Sequence, residues 1–226
     1  MIIIITSKGF NKHTKKNEFV LKTNIDGEDY SGKLVADLQS IVSVTHDDTS
    51  LAFDFFLISN YVYAIDRFIS REKYSLDGWT RELSITIPVK QPKIWGQNVK
   101  ELESILSFLS GDISKVKFAD LSLNMDKSDS KMDLSKIDRV NLLSGGLDSL
   151  IGAIDSLEEK KNILFVSQYD NNFKAEKEQK KLKNELASEY PNFKSIDSVL
   201  VTLQSANLKG RENTLRTRSL MFISLG

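Results

Sequence analysis

Val140-Asn141-Leu142-Leu143-Ser144-Gly145-Gly146-Leu147-Asp148-Ser149-Leu150 is the stretch that decides the fold class of the chain's second half. Val140–Leu143 is a short apolar run that reads as a strand, and Asp148–Leu157 repeats apolar residues at helical spacing. Between them Gly145 and Gly146 can take positive φ and bring bare backbone amides close to a ligand. Successive N–H groups in such a turn form an anion-binding concavity, reinforced by the positive end of the helix that follows. Ser144 and Ser149 add two hydroxyls, so the turn is suited to a phosphate group. It lacks the Lys-Ser/Thr ending of the mononucleotide P-loop and the third glycine of the dinucleotide fingerprint.

Further along, Asn162–Ser167 reads as a strand, Ala175–Tyr190 as a charged helix, Ile196–Thr202 as a strand and Arg211–Leu225 as a helix. This alternation predicts right-handed βαβ crossovers and a parallel sheet. An open doubly wound sheet uses about five or six strands, so three strands followed by an apolar ending suggest a fragment of a longer product. Upstream, Asn124–Lys136 is polar, charged and serine-containing and reads as a linker. The predicted domains are therefore 1–136, an α+β accessory domain, and 137–226, a partial parallel-sheet α/β domain.

In the first of these, Ile2–Thr6 and Glu18–Asn24 read as strands around a polar turn containing Gly9, Asn11 and Lys12. Leu34–His46 shows no decisive period. Asp47-Asp48-Thr49-Ser50 offers N-cap chemistry for an apolar, aromatic-rich helix running to Ile69. Arg81–Val89 alternates as a strand, Val99–Leu109 has helical spacing with Gly111 as its C-cap glycine, and Lys115–Leu123 is a further strand.

Composition narrows the class. Formal net charge is zero, with 27% charged and 40% hydrophobic residues, so no global field points to nucleic acid or an acidic membrane. That leaves a local nucleic-acid contact open. There are no cysteines, which removes disulfides and thiolate metal sites and suits a cytoplasmic protein. Met1–Thr6 is too short for the apolar region of a signal peptide, and no apolar run in the 226 residues is long enough to span a bilayer.

Ser144-Gly145-Gly146-Leu147-Asp148-Ser149 resembles the Ser-Gly-Gly-x-Asp-Ser signature of the ATP pyrophosphatase superfamily, the PP-loop enzymes. The resemblance implies an adenine-nucleotide-alpha-hydrolase-like domain that binds ATP with Mg2+. In such enzymes a substrate oxygen attacks the α-phosphate and pyrophosphate leaves. It assigns Ser144, Gly145, Gly146 and Ser149 to the pyrophosphate and counts Leu147 and Asp148 among the ATP-binding residues, with Asp148 ordering the loop or lying near the magnesium ion.

Two further stretches narrow the family. Gly210–Leu225 resembles the Gly-Arg-Asn-Leu-Leu-Phe-Leu segment of 7-cyano-7-deazaguanine synthase (QueC), with Arg218 at the family's Arg and Ser219 at its Asn. Phe165–Leu182 resembles that family's strand, glutamine-containing turn and charged helix, which puts Gln168 and Tyr169 near the adenine edge. The arrangement also resembles the QueC-like proteins of bacterial anti-phage operons such as the Qat system, with Trp79–Leu83, Ile85–Val89 and Phe108–Asp112 matched to their N-terminal region.

What this implies is adenylation of a carboxylate, for example 7-carboxy-7-deazaguanine, in anti-phage defence. Asp148 and Arg218 would be catalytic, Gln168 and Arg216 would join the ATP contacts, and other proteins of the operon would be partners. A structural zinc held by cysteines late in the family's chain is expected only in a C-terminal continuation. A tRNA-modifying PP-loop ligase and a non-catalytic ATP-binding subunit share the same loop and stay open.

Other residues read two ways. Arg211, Arg216 and Arg218 form either a clamp on phosphate or carboxylate groups or a solvated helix surface. Glu176–Glu185 alternates charge and reads as a solvated face rather than an RNA surface. His13 and His46 lie in no metal-ligand pattern, and Trp79 and Trp95 read as core or rim packing.

Overall fold

The computed structural model describes residues 1–11, 16–45, 47–123, 125, 133–169, 173–196, 199–204 and 212–226. It is an α/β fold whose chain divides into two compact units. One comprises Met1–Val35, Asp47–Asn124 and Leu203–Ser224, and the other Ala36–His46, Met125–Thr202 and Leu225–Gly226. His13, His46, Arg211 and most of the Asn124–Lys136 linker lie outside the described residues.

In the first unit β1 (Ile2–Asn11), β2 (Lys16–Ile25), β3 (Glu28–Ala36), β4 (Glu82–Val89) and β5 (Ile113–Asp120) lie side by side in the order β5-β4-β1-β2-β3. β1 is antiparallel to β2 and parallel to β4, and β4 is parallel to β5, so the sheet is mixed. β1 is longer than the sequence pattern predicts, because a register shift between Ser7 and Gly9 absorbs its polar end into the ladder. The start of β3 is a departure from the sequence reading. Asp26 and Gly27, at φ 54° and 84°, form the tight turn before it, the two-residue Asp-Gly signal of a hairpin. The undecided Leu34–His46 stretch divides between the end of β3 and the helix α1 (Leu38–Thr45).

Ser50 caps α2 (Leu51–Phe68), its Oγ accepting from Phe53 N at 3.1 Å. Almost every face of α2 is buried. Phe53, Phe56, Leu57, Tyr61, Ile65 and Phe68 share the core with Ile3, Ile5, Phe19, Leu21, Leu83 and Ile85 of the sheet. Each such side chain contributes on the order of 1.5–3 kcal/mol by leaving water, and Tyr61 meets Phe19 edge-on at 5.1 Å between ring centres. After the short helices α3 (Arg71–Tyr74) and α4 (Pro92–Gln97), α5 (Val99–Ser110) ends on Gly111 at φ 75°, the left-handed C-cap its sequence predicts. The buried Asp54 carboxylate accepts from Lys90 N, Gln91 N and Trp95 Nε1, so α2 is tied to the start of α4.

Four charged side chains are buried where these elements meet. Asp66 lies near the end of α2, Arg71 opens α3, and Arg81 and Asp112 immediately precede β4 and β5. Arg81 Nη2 reaches Asp66 Oδ1 and Asp112 Oδ2, both at 2.6 Å, while Arg71 reaches Asp112 Oδ1 at 2.6 Å and Asp66 Oδ1 at 3.0 Å. Burial alone would raise the Asp112 pKa. The hydrogen bonds and charges of Arg81 and Arg71 outweigh it and hold the carboxyl below its usual range.

The second unit contains α1, a 3₁₀ turn (Leu134–Lys136), β6 (Arg139–Leu142), α6 (Leu147–Glu158), β7 (Ile163–Val166), β8 (Gln168–Tyr169), α7 (Phe173–Glu189) and β9 (Phe193–Ser195), with β10 starting at Val199. β6, β7 and β9 form a parallel sheet with β7 central, and β8 pairs in parallel with β10 (Val199–Gln204). The predicted Ile196–Thr202 strand corresponds to β10, and β9 is an additional strand ahead of it. β9 continues directly from α7 through Tyr190 to lie on β7, and its polar Lys194 and Ser195 hide it from a hydrophobic pattern. Leu143, Ala153, Leu157, Ile163, Phe165 and Leu186 form the core between sheet and helices, with Phe165 stacked on Phe193 at 5.0 Å. The outer face of α7 is solvated and carries the exposed pairs Lys174–Glu178 and Lys181–Glu185.

The predicted Arg211–Leu225 helix is shorter: α8 covers only Arg218–Ile223. Glu212 turns its carboxylate onto the amides of Asn213 and Thr214, and Thr217 donates to Asp66, so this stretch bonds through side chains instead of helical turns. No helix among the described residues is long and apolar enough to cross a membrane.

Removing one carboxylate from the buried cluster leaves two guanidinium groups sharing the other. Asp112→Ala is therefore expected to destabilise the chain by about 3–5 kcal/mol in urea unfolding. A loss below about 1 kcal/mol, the size typical of an exposed pair, would show that the cluster is not essential to the first unit.

Candidate phosphate-binding site

β6 delivers the chain to Leu143, whose amide donates to Val166 O of β7 at 2.8 Å and fixes the point where the loop leaves the sheet. Gly145 then takes φ 89°, a conformation that strains any residue with a Cβ. The turn draws the two serines together, with Ser144 Oγ 3.1 Å from Ser149 Oγ. Ser149 Oγ also donates to Gly146 O at 2.8 Å, and Gly146 N donates to Ser144 Oγ at 3.3 Å. Gly146 is the N-cap residue of α6, and no side chain caps the helix. The first-turn amides of Leu147, Asp148 and Ser149 have no acceptor one turn back, as in any α-helix. Ser144, Gly145, Gly146, Leu147 and Asp148 are exposed and Ser149 is half-buried, so the amides and hydroxyls of the loop are accessible.

Behind the loop lie the carboxyl end of β7 and the start of β8. Ser167 and Gln168 are almost fully buried, yet Ser167 Oγ and Gln168 Oε1 have no hydrogen-bond partner among the described residues. The amide nitrogen of Gln168 is occupied by Tyr169 O and Val201 O. Gln179 of α7 joins this region to the loop. Its Nε2 donates to Ser144 O at 3.2 Å and to Gln168 O at 3.1 Å. Ser167 and Gln179 both lie outside the Ser144–Ser149 motif. The signal for Gln179 was present in the spacing: with Leu182 and Leu186 it follows the i, i+3, i+7 stripe of an otherwise charged helix.

The loop residues and Gln168 thus fall in the second unit, whereas Arg216 and Arg218 belong to the first. The Arg216 guanidinium lies 3.5 Å from the centre of the Trp79 ring, and its Nη1 donates to Ser110 O at 3.2 Å. Trp79 therefore packs at a rim. Arg218, half-buried, lies 5.2 Å from the Phe222 ring. Upstream of both, Glu212 accepts from Arg71 N at 2.8 Å, and between them Thr217 Oγ1 donates to Asp66 Oδ2 at 3.1 Å. The segment that carries the two arginines is in this way docked on the buried charge cluster.

The donor set fits a magnesium-bound nucleotide polyphosphate. The loop presents amides and hydroxyls, one exposed carboxylate, Asp148, stands beside them, and two buried oxygens lack donors among the described residues. Among the described residues no group of three or more His, Asp or Glu side chains is placed to hold a metal ion by itself. Compared with family models, curated proteins and solved structures, the chain gives no match.

Glu212 supplies a test of the docked segment. Burial alone would raise its pKa, but the donors from Arg71, Thr214 and Asn213 outweigh that and lower it from 4.5 to about 2. A carboxyl depressed in the folded state stabilises above its unfolded pKa and loses that contribution as pH falls through the folded value. Glu212→Gln is expected to cost up to roughly 3 kcal/mol at neutral pH, with the gap to the unmodified chain closing between pH 4.5 and about 2. Denaturant midpoints across that range measure it, and a gap independent of pH would refute the assignment.

Proposed function

We propose that the Ser144–Ser149 loop binds the pyrophosphate portion of ATP and that the chain is a QueC-like adenylating enzyme of the PP-loop type, acting on a carboxylate such as 7-carboxy-7-deazaguanine. The observation that carries this reading is the uncapped start of α6 behind a positive-φ glycine, with two serine hydroxyls 3.1 Å apart at its mouth. An oriented set of amides and hydroxyls of this kind favours polyanions over neutral ligands. On this reading the nucleoside lies toward Ser167 and Gln168, whose buried oxygens have no hydrogen-bond partner among the described residues.

In the reaction a carboxylate oxygen of the substrate attacks the α-phosphorus, the bond to the bridging oxygen breaks, and pyrophosphate departs with that electron pair. Magnesium, when bound, neutralises charge on the phosphates. The loop amides hold the departing pyrophosphate and keep it in line, and the hydroxyls of Ser144 and Ser149, rotated away from each other and from Gly146 O, donate to its oxygens. No proton transfer by a loop side chain is required, so the contribution is positioning and charge stabilisation. Ammonia, an amine, or a group on a protein or nucleic acid would then attack the acyl carbon of the adenylate, breaking its bond to the phosphate oxygen and displacing AMP. An anti-phage role, with other proteins of the same operon as partners, rests on the sequence resemblance alone.

The test is pyrophosphate release from Mg-ATP by the full chain, with and without 7-carboxy-7-deazaguanine. Ser149→Ala is expected to weaken Mg-ATP binding about tenfold, the loss of one charge-assisted hydrogen bond, and Asp148→Ala to abolish substrate-dependent release. Binding without release under any carboxylate would favour a nucleotide-binding subunit over an enzyme. Absence of Mg-ATP binding would refute the proposal.

A further inference from the structure

Gln179 is an uncharged side chain buried on a helix whose neighbouring positions are mostly lysine and glutamate. Packing alone does not call for a glutamine there; Leu182 and Leu186 occupy the same stripe with aliphatic side chains. What sets Gln179 apart is where its amide goes. One nitrogen serves two main-chain carbonyls, Ser144 O in the loop and Gln168 O at the start of β8. Its stem follows the same path, since a Cβ built on Gly145 would meet Gln179 Cγ at 3.4 Å.

A trans peptide points its C=O and N–H in opposite directions. With Ser144 O held toward α7, the N–H of the same peptide, which belongs to Gly145, is turned away from α7. Gly145 is also the residue at φ 89°, so this peptide has an energetically accessible flip that a Cβ-bearing residue would lack. The hydrogen bond from Gln179 selects one of the two orientations.

We infer that Gln179 is a positioning residue for a pyrophosphate-bearing ligand: by holding the Ser144 carbonyl it presents the Gly145 amide to the anion, and by holding the Gln168 carbonyl it sets the distance between the loop and the nucleoside side. This rests on the phosphate reading of the loop. It adds a residue outside the Ser-Gly-Gly-Leu-Asp-Ser motif whose work is done through a main-chain group.

The full chain, labelled with ¹⁵N, is titrated with inorganic pyrophosphate and then with Mg-ATP while the Gly145, Asp148 and Ser149 amide resonances are followed. In the unmodified chain all three are expected to shift. In Gln179→Leu, affinity for pyrophosphate is expected to fall about tenfold, the order expected from losing one anion-directed donor. At saturation the Gly145 amide should no longer respond, while Asp148 and Ser149 at the helix start still do. A general loss of structure would silence all three together, so the selective loss separates positioning from folding. If Gln179→Leu does not melt cooperatively, Gln179→Glu carries the same test, because it keeps length and shape and its ionised carboxylate cannot donate. A variant that binds pyrophosphate as tightly as the unmodified chain, with Gly145 responding, overturns the role of Gln179 and leaves the loop reading intact. An unmodified chain that binds no pyrophosphate overturns both.

Discussion

Two guanidinium groups and two carboxylates, closed off from water, hold the first unit in register. Arg81 and Arg71 share Asp66 and Asp112, and through them the end of α2, the start of α3 and the first residues of β4 and β5 meet at one point. Taking any one of these charges out of water alone would be prohibitive, so the four tolerate burial only together. The cluster also reaches beyond itself: Thr217 donates to Asp66, and the backbone amide of Arg71 is received by Glu212. A stretch near the end of the chain is thereby made part of a unit that begins at Met1.

In the second unit the controlling constraint is directional. Parallel strands β6 and β7 end on the same edge, and the loop after β6 places the start of α6 there, so amide donors accumulate at that edge. The chain between β7 and β8 supplies the opposite polarity, oxygens of Ser167 and Gln168 without donors among the described residues. Gln179, lying between the two regions, holds the backbone of each through a single nitrogen.

The loop was legible because its evidence is local. Two glycines between an apolar run and a helical repeat, flanked by serines, can be read without knowing what packs nearby, and Gly145 takes the conformation its lack of a Cβ allows. The cap at Ser50, the C-cap glycine at Gly111 and the alternation of β4 were legible for the same reason, since each depends on residues within a few positions. β9 was not: Phe193-Lys194-Ser195 has no pattern of its own and becomes a strand because β7 offers it a ladder. Nor was the short reach of α8, since the Glu212 carboxylate and Thr217 hydroxyl find partners distant in sequence that outcompete helical turns.

The sequence by itself determined the local devices: the phosphate-suited turn, the helix caps, the strand–helix alternation and the absence of thiol chemistry. These follow from the backbone freedom and hydrogen-bonding capacity of residues adjacent along the chain. Only the tertiary structure decided that Arg216 lies against Trp79, that Asp66 and Asp112 share two arginines, and that a glutamine on α7 holds the loop. Each of those is a pairing of groups far apart in sequence, and its stability depends on burial, which no single stretch of residues specifies.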